Sequence, residues 1–210
     1  MKADNGLTIM GTYTEWKETS YAREGVQCQG CHMPVIEGKI VKADIKESRE
    51  WINLHDLQGG HSVSQLAKAM KVEILDVISA QQGVNVKVGI TNTGSGHYVP
   101  TGHPARQLVL RLLVKDPKGQ IIHQDERVFK KTLVDKDGKE LKYKHEFLKA
   151  QRVLMDNRIP PHKRQEETFF IPKSINKGTI EVKLFYNFTP EIIQTHEMLI
   201  EMGSDNRVIH

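Results

Sequence analysis

The chain has 210 residues, enough for one large domain or two modest ones around a real hydrophobic core. Charged residues make up 27% and apolar residues 38%, and no run approaches the roughly 18 apolar residues of a membrane-spanning helix, so the sequence predicts no transmembrane span. Its 30 Lys and Arg against 26 Asp and Glu leave a net charge of +4 with interleaved signs, which indicates a solvated surface and no nucleic-acid partner.

The amino-terminal segment has few long apolar runs and contains the sequence Cys28-Gln29-Gly30-Cys31-His32. The pattern C-x-x-C-H is typical of covalent attachment of a c-type haem. Two thiols separated by two residues can each add to one vinyl group of a porphyrin, while the adjacent imidazole binds the iron. We therefore predict one haem c, with thioether bonds from Cys28 and Cys31 and with His32 as the proximal iron ligand.

Two other interpretations of the cysteine pair stay open. A thioredoxin-like redox pair requires a βαβ context, but a Met-Pro pair follows the motif immediately and the chain beyond it has the pattern of β-strands. A structural zinc site requires four ligands, and either His55 with His61 or His97 with His103 has a spacing that would complete one. Zinc does not explain why a histidine directly follows the second cysteine.

A haem iron needs a sixth ligand or an open coordination site. Two pairs of histidines lie among glycines, His55 with His61 and His97 with His103. Glycine lets the backbone approach a flat, bulky ligand closely. We expect His55 or His61 to be the distal ligand, with His97 as the remaining candidate.

Residues 1–69 are predicted to form a small irregular or helical haem-binding segment that packs around the porphyrin. Residues 62–69 are expected to form a short helix, capped by Ser62 or Ser64. Four aromatic or apolar side chains are the expected walls of the haem site: Trp16, Tyr21, Trp51 and Leu54.

From about Val72 the hydrophobic pattern alternates with a period of two, which is typical of half-buried strands. A strand running toward Ser79, a turn around Gly83 and a strand over 84–90 predict a hairpin. The further predicted strands are 107–115, 120–124, 127–133, 165–171 and 179–188. About seven short strands predict that residues 70–210 form an Ig-like β-sandwich, so the fold class is mainly β.

The run from Gly25 to Pro34, followed by the sequence from His55 to His61, resembles the last haem-binding segment of bacterial and archaeal multihaem c-type cytochromes. The later run from Thr91 to Gly102 looks like a turn in the β-domain that follows such segments. The resemblance implies an exported electron carrier with a histidine-ligated haem, and hence a periplasmic or extracellular location. Members of that family carry several C-x-x-C-H motifs whereas this sequence has one, so a histidine here could serve a haem on an upstream region or another chain.

Electron transfer is the function that these features favour, because an iron held between two imidazoles exchanges one electron with little ligand rearrangement. The expected partners are a redox protein or other cytochrome subunits, in a homo- or hetero-oligomer that the sequence does not define. Two alternatives are a sensor or enzyme with an open distal site, and a structural β-domain whose haem is used in assembly. The sequence contains no G-x-S-x-G or H-E-x-x-H motif that would favour an enzyme.

Overall fold

The computed structural model describes residues 1–38, 50–142, 146–172, 175–187 and 199–209. The helices in these ranges are α1 (Thr12–Lys17), α2 (Ser20–Arg23), α3 (Cys28–His32), α4 (Val63–Ala69) and a single 3₁₀ turn (Phe147–Lys149). The strands are β1 (Val35–Glu37), β2 (Trp51–Asn53), β3 (Met70–Ala80), β4 (Gly83–Asn92), β5 (Gln107–Lys115), β6 (Ile121–Phe129), β7 (Lys131–Val134), β8 (Arg152–Asp156), β9 (Arg164–Ile171), β10 (Gly178–Asn187) and β11 (Leu199–Ile209). The prediction of a mainly β fold is confirmed.

Two antiparallel sheets enclose the main hydrophobic core. One sheet has the strand order β3-β4-β9 and the other has the order β11-β10-β5-β6. Inward-facing residues of both sheets belong to one buried cluster, as the period-two pattern of the sequence requires. In β5 every second side chain is completely buried: Leu108, Leu110, Leu112 and Val114. Each such side chain contributes about 1.5 to 3 kcal/mol on burial, so the sandwich is a stable support for the segment that precedes it.

The predicted hairpin is present, because β3 pairs with β4 from Met70 opposite Asn92 to Ala80 opposite Gly83. The predicted break between residues 124 and 127 is wrong. Strand β6 runs through it without interruption, since its pairing with β5 supplies backbone partners along its length, and the chain breaks instead at Lys130.

Four strands were not predicted from the sequence: β1 and β2, which pair with each other, and also β8 and β11. Strand β8 pairs with β7 outside the two main sheets, and β11 forms the edge of the four-stranded sheet. Within β11 only Met202 is buried, so this strand lacks the alternating apolar pattern that identifies the others. Backbone pairing with β10, and not the burial of its own side chains, holds β11 in position.

Helix α4 connects the two predicted parts of the chain. The Ser62 hydroxyl accepts a hydrogen bond from the Gln65 amide at 3.3 Å, which is the predicted N-cap, and the helix continues directly into β3 at Met70. Leu66 is buried in the core of the sandwich. None of the helices in the described ranges is long and apolar enough to span a membrane.

The residues before α1 pack against the far end of the molecule. Ala3 and Ile9 share a second buried cluster with Leu133, Leu141 and Phe147. The amide of Asp4 also donates to the carbonyl of Leu148 at 3.1 Å. The division into a haem-binding segment, 1–69, and a sandwich, 70–210, therefore stays a prediction, since the described parts of both share apolar contacts.

Candidate functional site

Helix α3 places the two cysteines and the histidine of the motif on one side. In a helix, residues three and four positions apart lie next to each other, so Cys28 is flanked by Cys31 and His32. The Gln65 side chain of α4 donates to the Cys31 carbonyl at 3.0 Å and holds this short helix against the following one. All three side chains are thus presented to one cavity.

The cavity has a volume of about 440 Å³ and is lined mainly by apolar atoms. It lies between α1, α2, α3 and α4 on one side and the loop from Gly94 to Thr101 on the other. Trp16 and Tyr21 line it, as the sequence predicted. The same prediction was wrong for Trp51 and Leu54, which are 61% and 42% exposed, because neither β1, β2 nor the residues directly after β2 line the cavity.

The imidazole of His32 is oriented by the chain segment that follows the β1–β2 hairpin. Its Nδ1 hydrogen-bonds the carbonyl of Gln58, and the Gln58 amide in turn donates to the His32 carbonyl at 3.0 Å. The Gln58 side chain is fixed by Asp56 at 2.6 Å and by Ser62 at 3.0 Å. A proton held on Nδ1 leaves Nε2 as the free ligand atom.

The imidazole of His97 is oriented in the same way from the opposite wall. Its Nδ1 lies 2.9 Å from the Tyr98 carbonyl and 3.0 Å from the Ser95 hydroxyl. Burial lowers the pKa of His97 below its ordinary value, which keeps the ring neutral. Neutral imidazole is the form that binds a metal, so this side chain also offers Nε2.

The rings of His32 and His97 lie across the cavity from each other, with centroids 6.1 Å apart and planes only 10° from parallel. A metal-bound imidazole nitrogen lies about 2 Å from the metal, so two imidazoles on opposite sides of one ion have ring centres roughly 6 Å apart. The observed separation fits a single iron between the rings. Cys28 and Cys31 line the same cavity, so the donor set and the apolar walls fit a haem c.

Asn92, at the end of β4, holds the loop that carries His97. Its side-chain amide donates to the carbonyls of His97 at 2.9 Å and Ile159 at 3.1 Å, and its carbonyl oxygen accepts from the Ser95 amide at 3.1 Å. Asn92 is completely buried, so all three hydrogen bonds are shielded from water. One side chain therefore fixes the wall of the cavity that carries His97 to the sandwich.

A buried ion pair fixes the other end of this loop. Arg158 donates to Glu15 of α1 at 2.7 Å, with side chains 8% and 13% exposed, and its guanidinium lies 5.1 Å from the centre of the Tyr98 ring. The second carboxylate oxygen of Glu15 accepts from the Thr101 hydroxyl at 2.6 Å. The ion pair thereby connects α1 to both Tyr98 and Thr101.

The other two predicted distal candidates lie elsewhere. His61 is exposed and lines a second, more open cavity of about 700 Å³, which adjoins the first and shares Cys28 and His32 with it. His55 is exposed and lines neither cavity. Within the part of the chain that the structure describes, no group of three or more His, Cys, Asp or Glu side chains is placed to hold a metal ion, so the zinc interpretation gains no support there.

The residues of the site that were not predicted include Gln58, Asn92, Arg106 and Tyr186. Gln58 and Asn92 lie inside the sequence runs 55–61 and 91–102, but their roles depend on backbone carbonyls that only the fold brings close. Arg106 directly precedes β5 and Tyr186 lies near the end of β10, where the sequence signal is ordinary strand alternation.

The sequence matches no known protein-family profile, and no curated protein matches it. Among solved structures, a penta-haem cytochrome c552 from Thermochromatium tepidum is similar to the whole of this chain, with a TM-score of 0.77 and 22% sequence identity. This chain spans about half of that protein, 53% of its length. A Bordetella pertussis protein described as ApaA matches 67% of this chain and is itself covered to 93%, with 13% sequence identity and a TM-score of 0.35. The chain therefore has a fold similar to that of part of a multihaem cytochrome c.

Proposed function

We propose that this protein is a c-type cytochrome that carries one haem and transfers single electrons to a redox protein or a neighbouring cytochrome subunit. The observation that carries this proposal is the pair of parallel imidazoles, His32 and His97, separated by 6.1 Å across a cavity that Cys28 and Cys31 also line. The similarity of the fold to a penta-haem cytochrome supports the same function.

Each residue has a separate role in this proposal. Cys28 and Cys31 form the thioether bonds, His32 is the proximal ligand, and His97 takes the distal position in place of His55 or His61. The haem, when bound, supplies an iron that changes between its ferric and ferrous states. Because both imidazoles are held by backbone carbonyls, the ligand positions need not change when the charge on the iron changes.

The surrounding protein would accept and pass on the electron at the exposed side of the site. Both cysteines are exposed, so the edge of the porphyrin to which they are joined would lie close to the surface. A partner that docks there would reach the haem without entering the sandwich. We propose that this partner is a second redox protein or cytochrome subunit, and that the protein acts in the periplasm or outside the cell.

We also propose that the sandwich is Ig-like. The strands β3, β4 and β9 form one sheet, and β11, β10, β5 and β6 form the other. Named in chain order, these strands correspond to A, B and E of an immunoglobulin fold facing G, F, C and an added strand. This correspondence rests on strand order alone.

The first test is the mass of the denatured protein after expression in a host that matures c-type cytochromes. We expect the mass of the polypeptide plus one covalently bound haem, and the mass of the polypeptide alone for a Cys28→Ser, Cys31→Ser variant. A colourless wild-type protein with the mass of its amino acids alone would contradict the proposal.

The second test identifies the distal ligand. With two imidazole ligands the reduced protein is low-spin and does not bind carbon monoxide readily. We expect His97→Ala to become high-spin when reduced and to bind carbon monoxide, whereas His55→Ala and His61→Ala keep the wild-type spectrum. A wild-type protein that already binds carbon monoxide would favour a sensor or enzyme with an open site, and a spectrum changed by His61→Ala alone would assign the ligand to His61.

A further inference from the structure

The main cavity has a single permanently charged side chain in its lining. Among the described residues that line it, Arg106 is the only Lys, Arg, Asp or Glu. Arg106 also lines the adjoining open cavity, so it lies where the two meet. A guanidinium at the edge of an apolar cavity can donate charge-assisted hydrogen bonds to an acidic group of a ligand.

The position of Arg106 is fixed by the loop that carries the distal histidine. Its Nη1 donates to the Thr101 carbonyl at 3.0 Å, and its backbone amide donates to the His103 carbonyl at 3.0 Å. Gly102 has a φ of 80°, and a Cβ atom at this position would lie 3.0 Å from Nη1. A glycine here therefore allows both the turn and the close approach of the guanidinium.

The Tyr186 hydroxyl is a second donor on the same side of the cavity. Burial raises the pKa of Tyr186, and the nearby charge of Arg106 opposes that rise, so the phenol remains protonated and able to donate. Gly60 leaves room for it, because a Cβ atom there would lie 2.5 Å from the hydroxyl oxygen. A guanidinium and a phenol thus lie close together in a wall that is otherwise apolar.

We propose that Arg106 and Tyr186 bind a propionate carboxylate of the haem. This inference rests on the proposed function and adds the residues that recognise the acidic side chains of the porphyrin. Arginine suits this role because its planar fork can donate two parallel hydrogen bonds to one carboxylate. The charge of Arg106 also makes the ferric iron, which carries the extra positive charge, less favourable and so raises the reduction potential.

The first experiment measures the midpoint potential of the holoprotein and three variants at one pH and ionic strength. Arg106→Gln is expected to have a lower potential than the wild type, and Arg106→Lys an intermediate one, because lysine keeps the charge without the fork. Arg152→Gln is the matched control, since it removes the same charge from an exposed position on β8. Equal potentials for Arg106→Gln and Arg152→Gln would overturn the inference.

The second experiment tests the carboxylate itself and does not depend on covalent attachment. The full-length apoprotein is titrated with iron mesoporphyrin, which lacks the vinyl groups, and with its dimethyl ester, which lacks the free carboxylates. We expect Arg106→Gln to weaken binding of the free acid by roughly tenfold or more, as for the loss of a hydrogen bond to a charged group, and to leave binding of the ester nearly unchanged.

Tyr186→Phe is expected to show the same selectivity with a smaller effect, because a neutral hydrogen bond is weaker than a charged one. An equal loss of affinity for both porphyrins would assign Arg106 a merely structural role and overturn the inference. The failure of the proposed function would be seen separately, as a wild-type protein without covalent haem.

Discussion

The position of the His97 imidazole depends on a residue that never touches the ring. Asn92 makes three buried hydrogen bonds, to the backbone of Ser95, His97 and Ile159, and these define the path of the loop. The ring itself is then held by Tyr98. Asn92 is therefore a positioning residue whose loss would act on the distal ligand through the backbone.

Replacing Asn92 with alanine should leave the buried Ser95 amide without its partner, at a cost of about 1 to 3 kcal/mol. The carbonyls of His97 and Ile159 also lose a donor but keep the hydrogen bonds from the Ser95 hydroxyl and the Val99 amide. We expect a lower free energy of unfolding, and in the reduced holoprotein a larger fraction that binds carbon monoxide. Denaturant titration and carbon monoxide difference spectra measure the two effects. Asn206→Ala, at an exposed position of β11, is the control and should change neither. An Asn92→Ala protein with wild-type spectra would show that His97 does not need this support.

The sequence identified those residues of the site that are adjacent to one another in the chain. Cys28, Cys31 and His32 could be identified because five consecutive residues contain all three groups. The residue that faces His32 comes from a loop 65 positions later in the chain, and its placement follows from Asn92 and the pairing of Val99 with Ile159. Such long-range contacts leave no spacing pattern in the sequence, which explains why His55 and His61, the nearer histidines, were preferred.

At the scale of elements, alternation of side chains determines what each strand contributes. Leu112 of β5 is completely buried between the sheets, whereas its neighbour Leu113 points to the other face and is only half-buried. Leu112→Ala should lower the free energy of unfolding by about 2 to 5 kcal/mol, because it leaves a cavity in the core. Leu113→Ala is the matched comparison, with the same atoms removed and a smaller expected loss. Equal losses in denaturant titrations would contradict the assignment of the two faces.

The strands that the sequence predicted are those with this alternation on both sides of the core, such as β4 and β5. Strand β11 was not predicted because its middle, residues 204–207, is polar and because it is stabilised by backbone pairing with β10 at the edge of a sheet. Strand β8 was not predicted for a similar reason, since its side chains are exposed or half-buried and its partner β7 has only four residues. The conformation of an edge strand depends on its pairing with an adjacent strand, and the local amino-acid pattern does not identify that strand.

An ion pair between β5 and β10 makes the free energy of unfolding depend on pH. The hydrogen bond from Lys115 lowers the pKa of Glu181 below its ordinary value, and Lys183 adds to this effect. The carboxylate therefore stabilises the folded state above about pH 4.5, and this contribution is lost as the pH falls through the lower pKa of the folded protein. Glu181→Gln should cost up to about 1 kcal/mol at neutral pH and progressively less below pH 4.5. Unfolding titrations of both proteins across this range should converge at low pH, whereas the exposed Glu37→Gln should match the wild type throughout.

At the scale of the whole molecule, the proposed haem site is built where the amino-terminal helices meet the sandwich. His32 and the cysteines come from the first part, and His97, Arg106 and Tyr186 come from the second. A haem bound between them would therefore link both parts through its two axial ligands. The contacts that hold the two parts together without the haem include the pair of Glu15 and Arg158 and the apolar cluster that Ala3 and Ile9 share with later residues.

Replacing one partner of this ion pair should lower the free energy of unfolding more than replacing both partners. Arg158→Met leaves the buried Glu15 carboxylate without its cationic partner, although the Thr101 hydroxyl still donates to it, and the loss of one partner costs about 3 to 5 kcal/mol for a buried pair. The same substitution also removes the partner of Asp156. Adding Glu15→Gln to the same protein removes the unpaired charge of Glu15 and should recover part of the lost free energy of unfolding.

Guanidinium unfolding of the holoprotein, followed by haem absorbance and by far-UV circular dichroism, should give one coincident transition for the wild type. For Arg158→Met the haem signal should change at a lower denaturant concentration than the sandwich signal, because the support of α1 and Tyr98 is lost while the core between the sheets stays intact. Coincident transitions in that variant, with the same midpoint as the wild type, would mean that the two parts are held together by other contacts.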